Sequence, residues 1–183
     1  MKKGLLFLAS MMMLMFTGCN QIEPTEVDIQ QSTDKVSIVG FVRYSAIDKN
    51  GNPKEPEVLQ NQDVVLYYGV ADPNDTAKVP NIVSYKRFDL KTNNLGRFSM
   101  ELGVKPGKTI AEVKVQSSML ATSTNGKELS YGKNSKGKME EADTEYFAEV
   151  IKKNLLAGDE YFYDVLLVPT AFPNNPDLEQ PKK

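Results

Sequence analysis

Cys19 is the only thiol in this 183-residue chain, and it stands directly behind an apolar stretch at residues 5–16. A cysteine can serve as nucleophile, metal ligand, redox partner or acyl acceptor, and the first three need an activating or liganding neighbour. The chain has no histidine. That absence removes Ser-His and Cys-His nucleophile pairs and the zinc sites built on imidazole. No G-x-x-x-x-G-K-[ST] run is present, so no phosphate-cradling loop of that kind is expected. Asp48, Asn50 and Asn52 in "DKNGN" occupy the first three ligand offsets of a calcium loop. The sixth position is Pro53 rather than glycine and the twelfth is Leu59 rather than glutamate, which favours a tight turn. Carboxylates are plentiful, with 24 Asp and Glu, and two at suitable spacing could hydrolyse a glycosidic bond. No sequence spacing singles out such a pair. The expectation is a protein that is not an enzyme and carries no cofactor or metal, with a carboxylate-only hydrolase as the remote alternative.

Lys2 and Lys3, the apolar stretch and the small residues Thr17 and Gly18 order themselves as a secretory signal does. The stretch is too short to span a bilayer, which takes about 20 apolar residues. Phe16-Thr17-Gly18-Cys19 resembles the lipobox of bacterial lipoproteins, with Phe16 where an aliphatic residue is usual. The resemblance implies cleavage before Cys19 and lipidation of that residue. It also implies an envelope location, on the outer membrane because Asn20 is not the retaining aspartate. Two or more acyl chains give stable anchoring, each buried methylene contributing about 0.8 kcal/mol. With its thiol acylated, the mature chain would have no free cysteine and no disulfide, so packing must stabilise it.

Without residues 1–18 the chain has 165 residues carrying 20 Lys and Arg against 24 Asp and Glu, a net charge of −4. That size suits one domain. An acidic balance without a basic patch argues against nucleic acid as partner. "KNSKGK" at 133–138 is followed at once by "MEEADTE" and reads as a solvated loop. Residues 19–35 read as a lipid-bearing, flexible tether, about 20 to 25 Å long as a coil. Residues 36–169 form the domain, and the Pro-rich and Asn-rich residues 170–183 are expected to be a flexible tail.

Within the domain, apolar residues recur with period two between Gly, Pro and Asn clusters, the pattern of half-buried strands. Val36, Ile38, Val42 and Tyr44 share a parity that Gly40 interrupts, and Phe98, Met100 and Leu102 share another. In 109–116, Ala111, Val113 and Val115 point inward, and Glu112, Lys114 and Gln116 outward. "YFYDVLLV" at 161–168 is apolar on both parities, as in a central strand of a covered sheet. "EYFAEVIKKNLLAG" at 145–158 fits a strand and also a helical face stopped by Gly158. The expected fold is all-β, an antiparallel β-sandwich of the immunoglobulin-like or transthyretin-like type, with about seven strands and one short helix as an option.

Several of these motifs together resemble the carboxypeptidase regulatory-like, or transthyretin-like, domains common in envelope proteins of Bacteroidetes. Asp48, Gly51 and Pro53 match the first turn, Thr92, Gly96 and Phe98 the second, and Pro106-Gly107 a type II turn. "KEPEVLQNQD" departs from that pattern, and so does the polar insertion from 120 to 144. The resemblance implies a non-catalytic module that binds or scaffolds an envelope protein or a glycan. A glycan-binding accessory role in an uptake system would use an exposed row of tyrosines drawn from Tyr67, Tyr68, Tyr85, Tyr131, Tyr146 and Tyr161.

Overall fold

The computed structural model describes residues 25–27, 34–72 and 74–181. These form eleven strands and, among the described residues, no helix. In chain order they are β1 (Thr25–Val27), β2 (Asp34–Tyr44), β3 (Glu57–Val58), β4 (Asp63–Ala71), β5 (Ile82–Lys91), β6 (Arg97–Val104), β7 (Thr109–Ala121), β8 (Ser130–Lys133), β9 (Met139–Ala142), β10 (Thr144–Leu156) and β11 (Glu160–Ala171). The expected β-sandwich is present, with more strands than seven. Residues 145–158 form a strand and its turn rather than a helix. One sheet runs β1-β6-β2-β11 and the other β10-β7-β4-β5, joined where β10 meets β11. Most pairings are antiparallel, while β1 with β6 and β11 with β2 are parallel.

The inner face follows the period-two reading. Val36, Ile38 and Val42 of β2, Phe98, Met100 and Leu102 of β6, Val113 and Val115 of β7, and Val165 and Leu167 of β11 share one core. Burying such a side chain contributes about 1.5 to 3 kcal/mol. Gly40 breaks the β2 stripe for a packing reason. A Cβ there would lie 2.4 Å from the Tyr163 carbonyl oxygen and 2.5 Å from the Phe98 ring. Phe98 stands opposite Gly40 across the β2–β6 ladder, so its ring fills the space that the glycine leaves. Tyr163 crosses the core, and its hydroxyl donates to the Val113 carbonyl at 3.3 Å, tying one sheet to the other. Burial pushes that phenol well above the usual tyrosine range.

Three connections share one construction, Asx-x-x-Gly-x. In each, the Asx side-chain oxygen accepts two backbone amides: Asp48 from Asn50 and Asn52, Asn93 from Leu95 and Arg97, and Asn134 from Lys136 and Lys138. The glycines Gly51, Gly96 and Gly137 take φ of 85°, 70° and 78°, as a type I turn closed by a left-handed residue requires. Pro106-Gly107 forms its turn as expected, with the Lys108 amide donating to the Lys105 carbonyl at 3.0 Å.

Two expectations are corrected, and the departure at 120–144 takes a definite form. The polar insertion contains the β8–β9 hairpin, fixed to the domain by Tyr131 N–H donating to the Ile47 carbonyl and by Ile47 N–H donating to Ser130 Oγ. The tail does not run free over its described length, because Phe172 and Leu178 are buried with Ala142 against that hairpin. Apolar side chains spaced among prolines were enough to dock it. Finally, β11 is buried on one face only: Tyr163, Val165 and Leu167 are covered, while Phe162 and Val168 are exposed on the other.

Gly40→Ala should therefore destabilise the fold by about 1 to 3 kcal/mol, the usual penalty for overpacking a tight core. The check is a denaturant midpoint, and an unchanged midpoint would show that the contact can relax.

Candidate functional site

Strands β10 and β11 are joined by the short turn at 157–159, where Gly158 adopts φ 87°. An ordinary hairpin would pair along its length, but here pairing is confined to residues 145–147 of β10 and 168–171 of β11. A register shift falls between Glu145 and Tyr146. Below that point the two strands part. β11 pairs with β2 from Glu160 to Leu167, while β10 stays with β7 from Thr144 to Leu156. The fork opens a cleft of about 920 Å³. That volume is within the roughly 300 to 1,000 Å³ of ligand sites.

The walls of the cleft are mainly apolar. Leu120, Phe147 and Val168 stand at its mouth with 47%, 40% and 45% of their surfaces exposed, and Met119, Val150 and Leu166 line it. Two of the carboxylates lining it have partners: Asp164 accepts Arg43 Nε at 3.2 Å and Nη2 at 2.5 Å, and Glu149 accepts Gln116 Nε2. Thr170 Oγ1 donates to the Glu145 carbonyl at 3.1 Å. Sequence reasoning missed this site because it depends on where two strands separate. The apolar double parity of β11 was its one trace.

A second polar feature lies on the outer face of the other sheet. Glu112 points outward as expected, yet it is only 7% exposed. Tyr85 Oη donates to its Oε1 at 2.6 Å, and Lys114 and Lys153 approach its two oxygens at 3.4 Å each. The Lys114 ammonium also lies 4.7 Å from the Tyr85 ring centroid. These contacts, first the Tyr85 hydroxyl, hold the Glu112 carboxyl below the usual glutamate range and raise the Tyr85 phenol. A carboxylate so held stays ionised and is a poor general acid. Its evident work is structural, bridging the edge strand β5 to β7.

The sequence-derived candidates separate. Cys19 lies outside the described residues. Asp48, Asn50 and Asn52 do come together, but as a turn: the Asp48 carboxylate is occupied by the Asn52 and Asn50 amides, which lower its pKa. The tyrosines do not form a row. Tyr146 is buried, its hydroxyl bonded to Ser130 Oγ at 2.8 Å and the Glu128 carbonyl at 3.0 Å, and burial pushes its pKa up to about 12. Tyr67, Tyr68, Tyr131 and Tyr161 are half-buried, and the exposed Tyr85 is committed to Glu112. Compared with protein-family models and with curated proteins, the chain matches none.

Two outcomes follow. The depressed Glu112 pKa contributes stability that is present above the unfolded value, about 4.3, and is lost as pH falls through the folded value. Glu112→Gln should therefore lower the melting temperature at pH 7, and the gap to the parent should shrink as pH drops below 4; a constant gap would contradict this. Chelation with EDTA should leave the melt unchanged, whereas a fall would reinstate calcium at Asp48, Asn50 and Asn52.

Proposed function

We propose that this protein is a lipid-anchored lipoprotein of the bacterial cell envelope, a transthyretin-like sandwich tethered to the outer membrane through Cys19. It acts as a non-catalytic binding or scaffolding module for another envelope component. The observation that carries the binding role is the apolar cleft at the β10–β11 fork, whose large side chains stay exposed while Asp164 and Glu149 are already engaged. Exposed apolar surface gathered at one place marks an interaction site. The signal-like start and the lipobox-like Phe16-Thr17-Gly18-Cys19 support the anchoring, and the acidic net charge speaks against nucleic acid.

Two experiments test the two halves. A clickable fatty acid fed to cells should label the protein, and Cys19→Ala should abolish the label and release the chain from the membrane; persistent label would contradict the anchor. A photo-crosslinking benzoylphenylalanine in place of Phe147 should give a discrete protein adduct on irradiation of cells. The same group in place of Leu95, exposed at a loop far along the chain, should not. Equal adducts from both positions, or none from Phe147, would contradict the cleft.

A further inference from the structure

Strand β1 lies inside the stretch whose composition reads as a free tether. It pairs in parallel with β6, Thr25 opposite Met100 and Val27 opposite Leu102. A strand parallel to β6 is entered from the Arg97 end of β6, the end that the turn at 93–96 closes. Cys19 precedes Thr25 by six residues, which span at most about 22 Å. From Met100 back to Gly96 along β6 is about 13 Å. Along the strand direction, an anchor at Cys19 therefore stands no more than about 9 Å beyond that turn. The headgroup layer of a bilayer is itself about 5 to 8 Å deep. On so short a tie, this end of the sandwich meets the lipid.

Two large apolar side chains are exposed there, Leu95 at 61% and Val58 at 49%. One residue of β2 holds their segments side by side: Val42 N–H donates to the Gly96 carbonyl at 2.9 Å, and Leu59 N–H donates to the Val42 carbonyl at 2.9 Å. A Cβ on Gly96 would lie 3.1 Å from Val58 Cβ, so the turn and β3 are in contact. Asn93 Oδ1 fixes the tip by accepting the Leu95 and Arg97 amides, and Leu59 and Phe98 are buried beneath. The pair is presented from a firm base, and grouped exposed apolar side chains mark an interaction site. The exposed charges around them are of both signs, Lys49 and Arg97 against Glu55 and Glu57, which favours apolar contact over attraction to charged headgroups.

We propose that this end of the sandwich is a lipid-contacting surface, with Leu95 and Val58 resting in the headgroup layer of the bilayer that holds Cys19. This rests on the reading of Cys19 as lipidated and adds which surface faces the lipid. A tether free over residues 19–35 would let the domain turn in any direction; the pairing of β1 removes that freedom. Because β2 runs antiparallel to β6 and parallel to β11, the turn at 157–159 then points away from the membrane.

The test uses the acylated full chain reconstituted into vesicles of phosphatidylethanolamine and phosphatidylglycerol. With Cys19 acylated, an introduced cysteine is the one free thiol and takes a polarity-sensitive nitrobenzoxadiazole label. At Leu95→Cys and Val58→Cys, phospholipids carrying a nitroxide on the headgroup should quench the emission by half or more. Val83→Cys should lose less than a tenth: it is as exposed as Leu95, at 61%, but stands eight residues, about 27 Å, up β5 from Lys91. Inserting twelve Gly and Ser residues after Asn20 should cut the quenching at Leu95→Cys at least threefold, since a longer linker dilutes the domain away from the surface. Melting curves verify that each variant folds. No quenching at Leu95→Cys, equal quenching at Val83→Cys, or quenching that ignores the insertion would overturn the proposal. A parent chain that takes no fatty-acid label would remove the anchor and this surface with it, whereas a labelled chain without quenching at Leu95→Cys would reject the surface alone.

Discussion

Strand β11 belongs to both sheets, and the rest of the molecule is arranged around that double membership. Its last residues pair with the start of β10, and its first eight pair in parallel with β2. A strand can have two neighbours, but a strand crossing from one layer to the other must abandon one of them along part of its length. The turn at 157–159 is bonded to β2 through Gly158 N–H donating to the Lys35 carbonyl at 2.7 Å and Ser37 N–H donating to the Asp159 carbonyl at 3.0 Å. That anchors the early part of β11 to the first sheet and draws it away from β10.

Two consequences come from the separation. In the core, Tyr163 and Phe98 crowd the position of Gly40, so the β2–β11 contact leaves no room for a side chain at that point. On the surface, the fork leaves the β10 edge unpaired over residues 148–154, and the paired Phe147 and Val168 stay exposed on the outer face beside it. The protein tolerates an open edge next to a well-packed core because the two strands are held independently, β10 by β7 and β11 by β2. A binding surface placed there is framed by rigid elements on both sides, which limits the ordering cost of a partner.

Much of the inner face could be read from the chain. The stripes at 36–44 and 98–102 are buried as their period demands, and the glycine-containing turns fall where positive φ was needed, whereas 161–168, apolar on both parities, is covered on one face only. The outer faces were less readable. Glu112 looked solvated because the lysines that cover it come from positions 114 and 153 and its hydroxyl donor from position 85, and only the register brings them together. Asp48, Asn50 and Asn52 share the offsets of a calcium loop because a turn and a metal loop draw on the same side chains; the turn that Pro53 and Leu59 favoured is the one that forms, with backbone amides on the carboxylate. The docked segment around Phe172 and Leu178 was hidden by its prolines, whose composition says nothing about two well-placed apolar anchors. The cleft was the hardest feature to foresee, since strand separation is a property of pairing and no local pattern encodes it.

The fork is tested most directly by amide hydrogen exchange, resolved to single residues and carried out at high dilution. Among residues 148–154 of β10, the amides pointing away from β7 should exchange much faster than those of residues 113–116 in β7, which is flanked on both sides by β4 and β10. Protection of β10 that matched β7 at every residue and persisted on dilution would mean that β10 and β11 are zipped together, and the account of the cleft would be wrong.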